Sequence, residues 1–273
     1  ATHRSGGILG VASSSEAGVV SVEDCTFSGN VSTGWIGGGI VGFCRGGAEI
    51  IGCVSRGNVS TTGNSAGGIV GRISRGVIKD CVFTSNGSVN QMKPDAGGIV
   101  GMVYASGVSG GSQVQIENCA SYGVVRGLHN VGGIIGLIDH GPGDELNVQN
   151  CMAYGCEVYA TGSMSGSNKW QLVGGICGYA KGSGTVTFSN CLSTAETVSG
   201  LLAATGGIGG FVGYIDGAHM FTNCAVCMRT SDILYNSGPV TSLANGYYGS
   251  FFGRSPKAAT LTYCYAPADI QFG

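Results

Sequence analysis

The sequence predicts an all-β fold: a right-handed parallel β-helix, or solenoid, of about eight coils with three short strands in each coil. Three observations lead to this prediction. Glycine supplies 53 of the 273 residues, an excess that is unusual for a globular domain and that directs attention to repeats. A glycine pattern and a cysteine pattern then alternate eight times along the chain. Around each cysteine, apolar residues recur at every second position, which is the period of a strand with one buried face.

The first repeated pattern, which we call the glycine anchor, reads Gly-Gly-apolar-apolar-Gly and predicts one strand of each coil. Six regular copies occur, and two degenerate copies follow them. Successive anchors start 29 to 42 residues apart, which is room for three strands and three turns. The copies span residues 6–10, 38–42, 67–71, 97–101, 132–136, 174–178, 209–213 and 249–253.

The second pattern places one cysteine between successive anchors and predicts the other two strands. The third residue before the cysteine is always apolar, and after Cys25 the residues Phe27, Gly29 and Val31 continue the alternation. The cysteines are Cys25, Cys53, Cys81, Cys119, Cys151, Cys191, Cys224 and Cys264. An Asn or Asp usually precedes the cysteine, at the corner between the two strands, where a residue that tolerates the left-handed conformation is expected. These corner residues are Asp24, Asp80, Asn118, Asn150, Asn190 and Asn223.

Three short strands cannot bury their apolar faces within one repeat, so each coil must stack on the next. Each strand then pairs in parallel with its equivalent about 4.8 Å away, and the chain forms one solenoid domain over residues 1–273. The general bias of parallel crossover connections predicts the right hand. Leucine-rich repeats are excluded because no helical period appears, and a propeller is excluded because each repeat has too few strands.

The anchor GGIVG followed by I-x-N-C-x-S-x-G-x-V resembles the GLUG motif repeat of bacterial surface proteins, and the resemblance covers nearly the whole chain. The resemblance implies an extracellular or cell-surface adhesive module. In that family the repeats also accompany large secreted proteins, including immunoglobulin A-cleaving metallopeptidases, in which they are accessory to the catalytic part. The chain departs from the family pattern in its cysteine position and in the longer loops after Cys151, Cys191 and Cys224.

Charge and composition argue against two classes of partner. The formal net charge is -2 and no Lys/Arg-rich run occurs, so nucleic acid is not an expected partner. The uncharged stretch from Val198 to Ile215 is about long enough to span a bilayer, but its six glycines fit the repeat better, and we expect no membrane insertion.

The cysteines are expected to form a column of buried thiols. Stacked side chains would place their Cβ atoms about 4.8 Å apart, which is longer than a relaxed disulfide prefers. Cys44, Cys156, Cys177 and Cys227 fall outside this column, and any disulfide would more readily involve them. No cysteine pair has histidines at ligand spacing, so we expect neither a metal site nor a cofactor.

The sequence offers one candidate catalytic group and one candidate binding group. Asp139 and Asp216 each follow an anchor by three residues and lie two coils apart, with His140 and His219 close by, which is compatible with an inverting glycosidase pair. Lys181 would stack between them, as in an ordinary charge-alternating ladder. The aromatic residues expected at one edge of the solenoid, where they could stack on sugars or fill gaps below turns, are Trp35, Trp170, Tyr247 and Tyr248.

Immediately after the anchors, a further row contains Phe43, Met102, Leu137, Tyr179 and Tyr214, interrupted by Arg72 and Arg254. If this row points outward, it is an apolar stripe suited to a partner. The sequence leaves its direction open, because the residue before the last anchor glycine is also apolar.

Two classes of function follow from these observations. The first is a non-catalytic structural or adhesive module that binds a glycan or another surface ligand; the second is a carbohydrate-active β-helix enzyme, either a lyase or a hydrolase. No H-E-x-x-H, G-x-S-x-G or P-loop motif occurs, and this favours the first. No capping element is recognisable at either end, so the chain is expected to be a segment of a larger surface protein or a fibre subunit that associates through its ends.

Overall fold

The fold is built of strands alone in the part of the chain that the structure, a computed structural model, describes. These residues are 3–13, 18–105, 111–161, 171–200, 206–228, 233–235, 238–239 and 247–267, with the backbone alone for 233–235, 238–239 and 247–248. They contain 39 strands in five sheets, which we call A to E in the order in which the chain visits them. No helix in these residues is long and apolar enough to span a membrane.

Sheets A and B contain the two halves of the glycine anchor. Sheet A consists of β1 (Arg4–Gly6), β6 (Ile36–Gly38), β11 (Ser65–Gly67), β16 (Asp95–Gly97), β21 (Asn130–Gly132), β26 (Leu172–Gly174), β31 (Gly207–Gly209) and β37 (Tyr247–Gly249). Sheet B consists of β2 (Leu9–Ala12), β7 (Val41–Cys44), β12 (Val70–Ile73), β17 (Val100–Tyr104), β22 (Ile135–His140), β27 (Cys177–Gly182), β32 (Val212–Asp216) and β38 (Phe252–Arg254).

Sheets C, D and E contain the residues on either side of the repeated cysteine. Sheet C consists of β3 (Val20–Glu23), β8 (Ala48–Ile51), β13 (Gly76–Lys79), β18 (Gln113–Glu117), β23 (Glu145–Gln149), β28 (Thr185–Ser189), β33 (Met220–Thr222) and β39 (Thr260–Thr262). Sheet D consists of β4 (Thr26–Phe27), β9 (Val54–Ser55), β14 (Val82–Phe83), β19 (Ala120–Ser121), β24 (Met152–Tyr154), β29 (Leu192–Thr194) and β34 (Ala225–Val226). Sheet E consists of β5 (Asn30–Thr33), β10 (Asn58–Thr61), β15 (Ser88–Gln91), β20 (Val124–Gly127), β25 (Glu157–Ala160), β30 (Thr197–Gly200), β35 (Ile233–Tyr235) and β36 (Gly238–Pro239).

Each strand pairs in parallel with its equivalent in the next coil, and like residues stack on like. Val31, Val59 and Val89 are register partners in sheet E, for example. The exception is β36, which turns back and pairs antiparallel to β35. The predicted architecture, a right-handed parallel β-helix of about eight coils, is confirmed.

Apart from β36, the number of strands in each of the first seven coils is five rather than the three that the period predicts, and the described part of the eighth coil contains three. The anchor bends in its middle, so that Gly38 ends β6 and Val41 begins β7. The stretch after the cysteine also bends, because Ser28 and Gly29 separate β4 from β5. Glycine permits both bends, and the alternation of buried side chains continues through them. For this reason the sequence pattern predicts one strand where the structure has two.

The anchor glycines are required because other atoms approach them closely inside the coil. A Cβ atom added to Gly97 would lie 1.9 Å from the carbonyl oxygen of Val100, and one added to Gly98 would lie 2.1 Å from Oγ of Ser121. The sheet D column opposite these glycines alternates large and small residues through Phe27, Ser55, Phe83 and Ser121. Each phenylalanine ring therefore spreads over the glycines of neighbouring coils.

The corner before each cysteine has the predicted left-handed conformation. The six Asn and Asp residues at this corner have φ between 50° and 54°, and Gly52 takes the same place in the second coil with φ of 63°. Their side chains form a ladder: Nδ2 of Asn150 donates to Oδ1 of Asn118 (3.0 Å), and Nδ2 of Asn190 donates to Oδ1 of Asn150 (3.1 Å). The ladder joins successive coils along the outside of this corner.

Candidate functional site

The two candidate carboxylates lie in one column on the outer face of sheet B. Asp139 in β22 is the register partner of Lys181 in β27, which in turn is the partner of Asp216 in β32. Lys181 Nζ lies 3.1 Å from Asp139 Oδ2, and Lys257 Nζ lies 2.9 Å from Asp216 Oδ1. We call these four residues the charge column. The lysine that pairs with Asp216 is one residue beyond Pro256, the residue that the strand register aligns with Asp216.

Each carboxylate of the charge column is paired with a lysine in the adjacent coil. The side chains are partly exposed, from 25% for Asp139 to 59% for Lys257, so each pair contributes at most about 1 kcal/mol to stability. The column thus presents alternating negative and positive groups to solvent. Such a surface can exchange its internal ion pairs for hydrogen bonds with a polar ligand.

The two candidate histidines lie inside the solenoid and not beside the carboxylates. His140 ends β22 and His219 precedes β33, and their exposures are 2% and 1%. Burial lowers the pKa of both imidazoles. The charge of Asp144 opposes this lowering at His140. At His219 the nearby carbonyl of Ala180 opposes it, although this carbonyl is not placed to accept a hydrogen bond from the ring. Because strand neighbours point to opposite faces, Asp139 faces solvent while His140 faces the core.

Of the four aromatic residues expected at one edge, the structure describes only one side chain. Trp35 precedes β6 and is half-buried, with the guanidinium of Arg4 4.5 Å from the centre of its ring. Trp170 lies outside the described residues. Tyr247 and Tyr248 belong to β37, of which only the backbone is described.

The row after the anchors points outward, which settles the direction that the sequence leaves open. Its members are consecutive register partners in sheet B: Phe43, Arg72, Met102, Leu137, Tyr179, Tyr214 and Arg254. Phe43, Met102 and Leu137 are buried outside the main core. The outer faces of sheets A and B approach each other here, since a Cβ on Gly71 would lie 2.7 Å from the side chain of Ile36.

Two tyrosines of this row are only half-buried, and their rings contact each other at a tilt of 49°. The ring centroids of Tyr179 and Tyr214 lie 5.0 Å apart, and the guanidinium of Arg254 lies 5.2 Å from the centre of the Tyr214 ring. We call Tyr179 and Tyr214 the tyrosine pair. It lies two residues before Lys181 and Asp216 on the same strands, and therefore on the same outer face as the charge column.

Sequence reasoning missed a buried polar group between sheets A and B. Asp95, the first residue of β16, is 1% exposed and accepts a hydrogen bond of 2.7 Å from Nδ2 of Asn130 in the next coil. Burial raises the pKa of Asp95 to about 7, although Asn130 and the positive charge of Arg72 oppose the shift. The signal available in the sequence was an acid two residues before an anchor, where other coils have Ile36, Ser65 or Leu172.

A shallow groove of about 340 Å³ lies on another side of the molecule, at the end of sheet E. None of the residues that the sequence singled out lines it. Its lining consists of Asn90, Gln91, Met92, Arg126, Leu128 and Thr161. Its most exposed apolar side chain is Met92, at 68%.

All twelve cysteines are free thiols, and the eight of the repeat form one column along the corner between sheets C and D. The thiols from Cys53 to Cys191 in this column lie near carbonyl oxygens of their own coil and of the previous one. Sγ of Cys81, for example, lies 3.2 Å from the oxygen of Lys79 and 3.4 Å from that of Ile50. Two acceptors favour the protonated thiol. Outside the column, burial raises the pKa of Cys44 and of Cys156 to about 12. Across the described part of the chain, no three His, Cys, Asp or Glu side chains are placed to hold a metal ion.

Comparison with solved structures shows a similarity of fold. The chain is similar to the crystal structure of a putative immunoglobulin A1 protease from Bacteroides ovatus, with a TM-score of 0.59 and 23% sequence identity over 88% of this chain and 67% of that chain. At this identity the likeness concerns the fold. No protein-family model matches the chain, and no curated protein matches it.

Proposed function

We propose that the chain is a non-catalytic, extracellular β-solenoid module of the GLUG-repeat type that binds a surface ligand on the outer face of sheet B. The observation that carries this proposal is the pairing within the charge column. Asp139 and Asp216 are each held by a lysine of the neighbouring coil. The histidines that could have served as their acid–base partners are buried on the other side of the sheet.

This arrangement lacks the features that glycoside hydrolysis requires of two carboxylates. One carboxyl must hold a proton and the other must activate water or attack the sugar, with the bond to be broken between them. Lys181 stands between Asp139 and Asp216 in the column and forms an ion pair with Asp139. The arrangement is better suited to binding than to proton transfer.

We infer that the ligand is a glycan. The tyrosine pair offers partly exposed aromatic faces, on which the apolar faces of sugar rings stack. The charge column beside it supplies both hydrogen-bond acceptors and donors for hydroxyl groups. Both features repeat along the solenoid axis at the strand spacing of about 4.8 Å, so a linear glycan could contact successive coils.

The proposal is tested by assaying the chain against a glycan array and a panel of polysaccharide-depolymerisation substrates. We expect binding without turnover. Replacing both Tyr179 and Tyr214 by Ala should weaken binding at least tenfold, because two stacking contacts are lost. Tyr154→Ala is the matched control. Tyr154 lies on sheet D, away from this face, and packs edge-on against Tyr122. Equal loss in the control, or no loss in the double variant, would exclude the tyrosine pair as the binding surface.

A carbohydrate-active enzyme remains the second candidate, because the register does place Asp139 and Asp216 in one column two coils apart. If a polysaccharide in the panel is degraded, Asp139→Asn and Asp216→Asn distinguish the two functions. Loss of turnover in either variant, with the β-sheet circular dichroism unchanged, would support the enzyme and overturn the non-catalytic proposal.

A further inference from the structure

Two buried histidines occupy the corner at which sheet B turns into sheet C. His140 ends β22, and His219 precedes β33 two coils further on; we call them the histidine pair. Both side chains are at least 98% buried. Neither Nδ1 nor Nε2 of either ring has a hydrogen-bond partner among the described residues. A neutral imidazole has one N–H donor and one acceptor, so each ring buries two polar atoms without compensation.

Glycines of the same coil and of a neighbouring coil make room for the two rings. Gly182 in β27 is the register partner of His140. A Cβ on Gly184 would lie 2.9 Å from Cβ of His140, and a Cβ on Gly217 would lie 2.4 Å from Cε1 of His219. At these three positions the chain therefore presents backbone, and not a side chain, to the imidazoles.

The charged groups around the pair are already occupied. Asp144 is the nearest acid to His140, but its Oδ1 accepts the N–H of Ser112 and its Oδ2 accepts the N–H of Gly141, each at 2.7 Å. Asp139 and Asp216 face outward and pair with Lys181 and Lys257. His219 also disfavours a positive charge on His140. Within the described part of the chain, the carboxylates near the closed corner thus already have partners other than an imidazolium ion.

We infer that the histidine pair makes the corner between sheets B and C, in the fifth to seventh coils, an acid-triggered opening element. At neutral pH both rings are neutral and the corner is closed. As the pH falls through about 6.5, the ordinary histidine range, only the opened corner can hydrate and protonate them. Between pH 7.5 and pH 5.5 the open population should rise by up to about tenfold for each imidazole, or about a hundredfold for the pair. This inference is independent of the proposed ligand.

Amide hydrogen exchange of the whole chain at pH 7.5 and pH 5.5 measures the opening, once intrinsic rates are divided out. The amides of Ser183 and Thr185 bond to the carbonyls of His140 and Asp144, and they report on the corner. The amides of Ala120 and Met152 bond to the carbonyls of Cys81 and Cys119, and they report on the distant cysteine corner. We expect protection of the first pair to fall by up to about a hundredfold and that of the second to change little. An equal change at both corners would overturn the inference.

The double substitution His140→Leu with His219→Leu should abolish the pH response of the first corner, while His3→Leu, on an exposed residue, should leave it intact. A response that survives the double substitution contradicts the inference. If the double variant does not fold, imidazole titration by NMR in the unaltered chain decides. His140 and His219 should then titrate below the ordinary histidine range near pH 6.5, and ordinary titration of both would overturn the inference.

Discussion

Several buried hydroxyl groups among the described residues have no hydrogen-bond partner inside this solenoid. Oγ of Ser121, in the sheet D column opposite Gly98, is completely buried and has no hydrogen-bond partner among the described residues. A buried hydroxyl without a partner is destabilising, whereas the methyl group of alanine fits the same space. We expect Ser121→Ala to raise the free energy of unfolding by about 1 kcal/mol in urea denaturation.

A second buried serine supplies the control. Oγ of Ser112 donates to the carbonyl of Ser74, so Ser112→Ala should lower the free energy of unfolding by about 1 kcal/mol. If both variants shift the urea midpoint in the same direction, the hydroxyl of Ser121 has a partner and this account of the sheet D column is wrong.

Asp95 is the residue whose ionisation should matter most for stability at neutral pH. Its pKa is raised from 3.8 to about 7 in the folded chain, so the folded state holds the proton more tightly than the unfolded state. The contribution of the protonated Asp95 to the free energy of unfolding is therefore complete below about pH 4 and is lost as the pH rises through 7. Asp95→Asn removes the charge, and its carbonyl oxygen can still accept from Asn130.

We expect Asp95→Asn to stabilise the chain by about 1–4 kcal/mol at pH 8 and by much less at pH 4. Thermal or urea unfolding at the two pH values measures the difference. A stabilisation that does not change between pH 4 and pH 8 would show that Asp95 is not protonated in the folded chain.

At the scale of single elements, the corner between sheets C and D combines a special backbone conformation with a side-chain ladder. Asn150 has φ of 52°, donates to Asn118 and accepts from Asn190. Alanine loses both hydrogen bonds and is strained at this φ, whereas glycine loses only the hydrogen bonds. We expect Asn150→Ala to cost about 2 kcal/mol and Asn150→Gly about 1 kcal/mol. The natural Gly52 at the same corner is the precedent. If urea denaturation gives the same loss of unfolding free energy for Asn150→Ala and Asn150→Gly, the left-handed conformation contributes nothing to the cost of the alanine substitution.

At the scale of the whole molecule, burial of the cysteines follows from the stacking of coils. Nine thiols are buried, Cys25 and Cys264 are partly exposed, and Cys227 is exposed. A thiol reagent should therefore label Cys227 first, then Cys25 and Cys264, and the other nine only after denaturation, because the thiolate must be reached to react. Peptide mapping of the labelled protein measures this order. Rapid labelling of Cys81 or Cys119 in the native chain would contradict the stacking.

Association of copies through the terminal coils stays a prediction. It rests on the unpaired backbone groups that any solenoid has at its outermost strands. Sedimentation of the isolated chain at increasing concentration tests it, and a strict monomer at high concentration would contradict it.

The sequence by itself determined the features that depend on repetition and on local period. The number of coils, the parallel stacking, the inward column of cysteines and the left-handed corners at Asn118 and Asn150 all follow from patterns that recur in each repeat. Repetition makes such inferences secure, since one misread residue leaves the other coils unchanged.

The angles between strands were decided only by the tertiary structure. The bend within each anchor divides one predicted strand into two and folds the outer face of sheet A toward that of sheet B, which buries Phe43 and Asp95. The length of β22 likewise sets Asp139 in solvent and His140 in the core. A linear pattern records which residues alternate, but not how far the chain turns between them. Burial on the outer faces therefore depends on contacts between strands of different sheets, and no local period encodes those contacts.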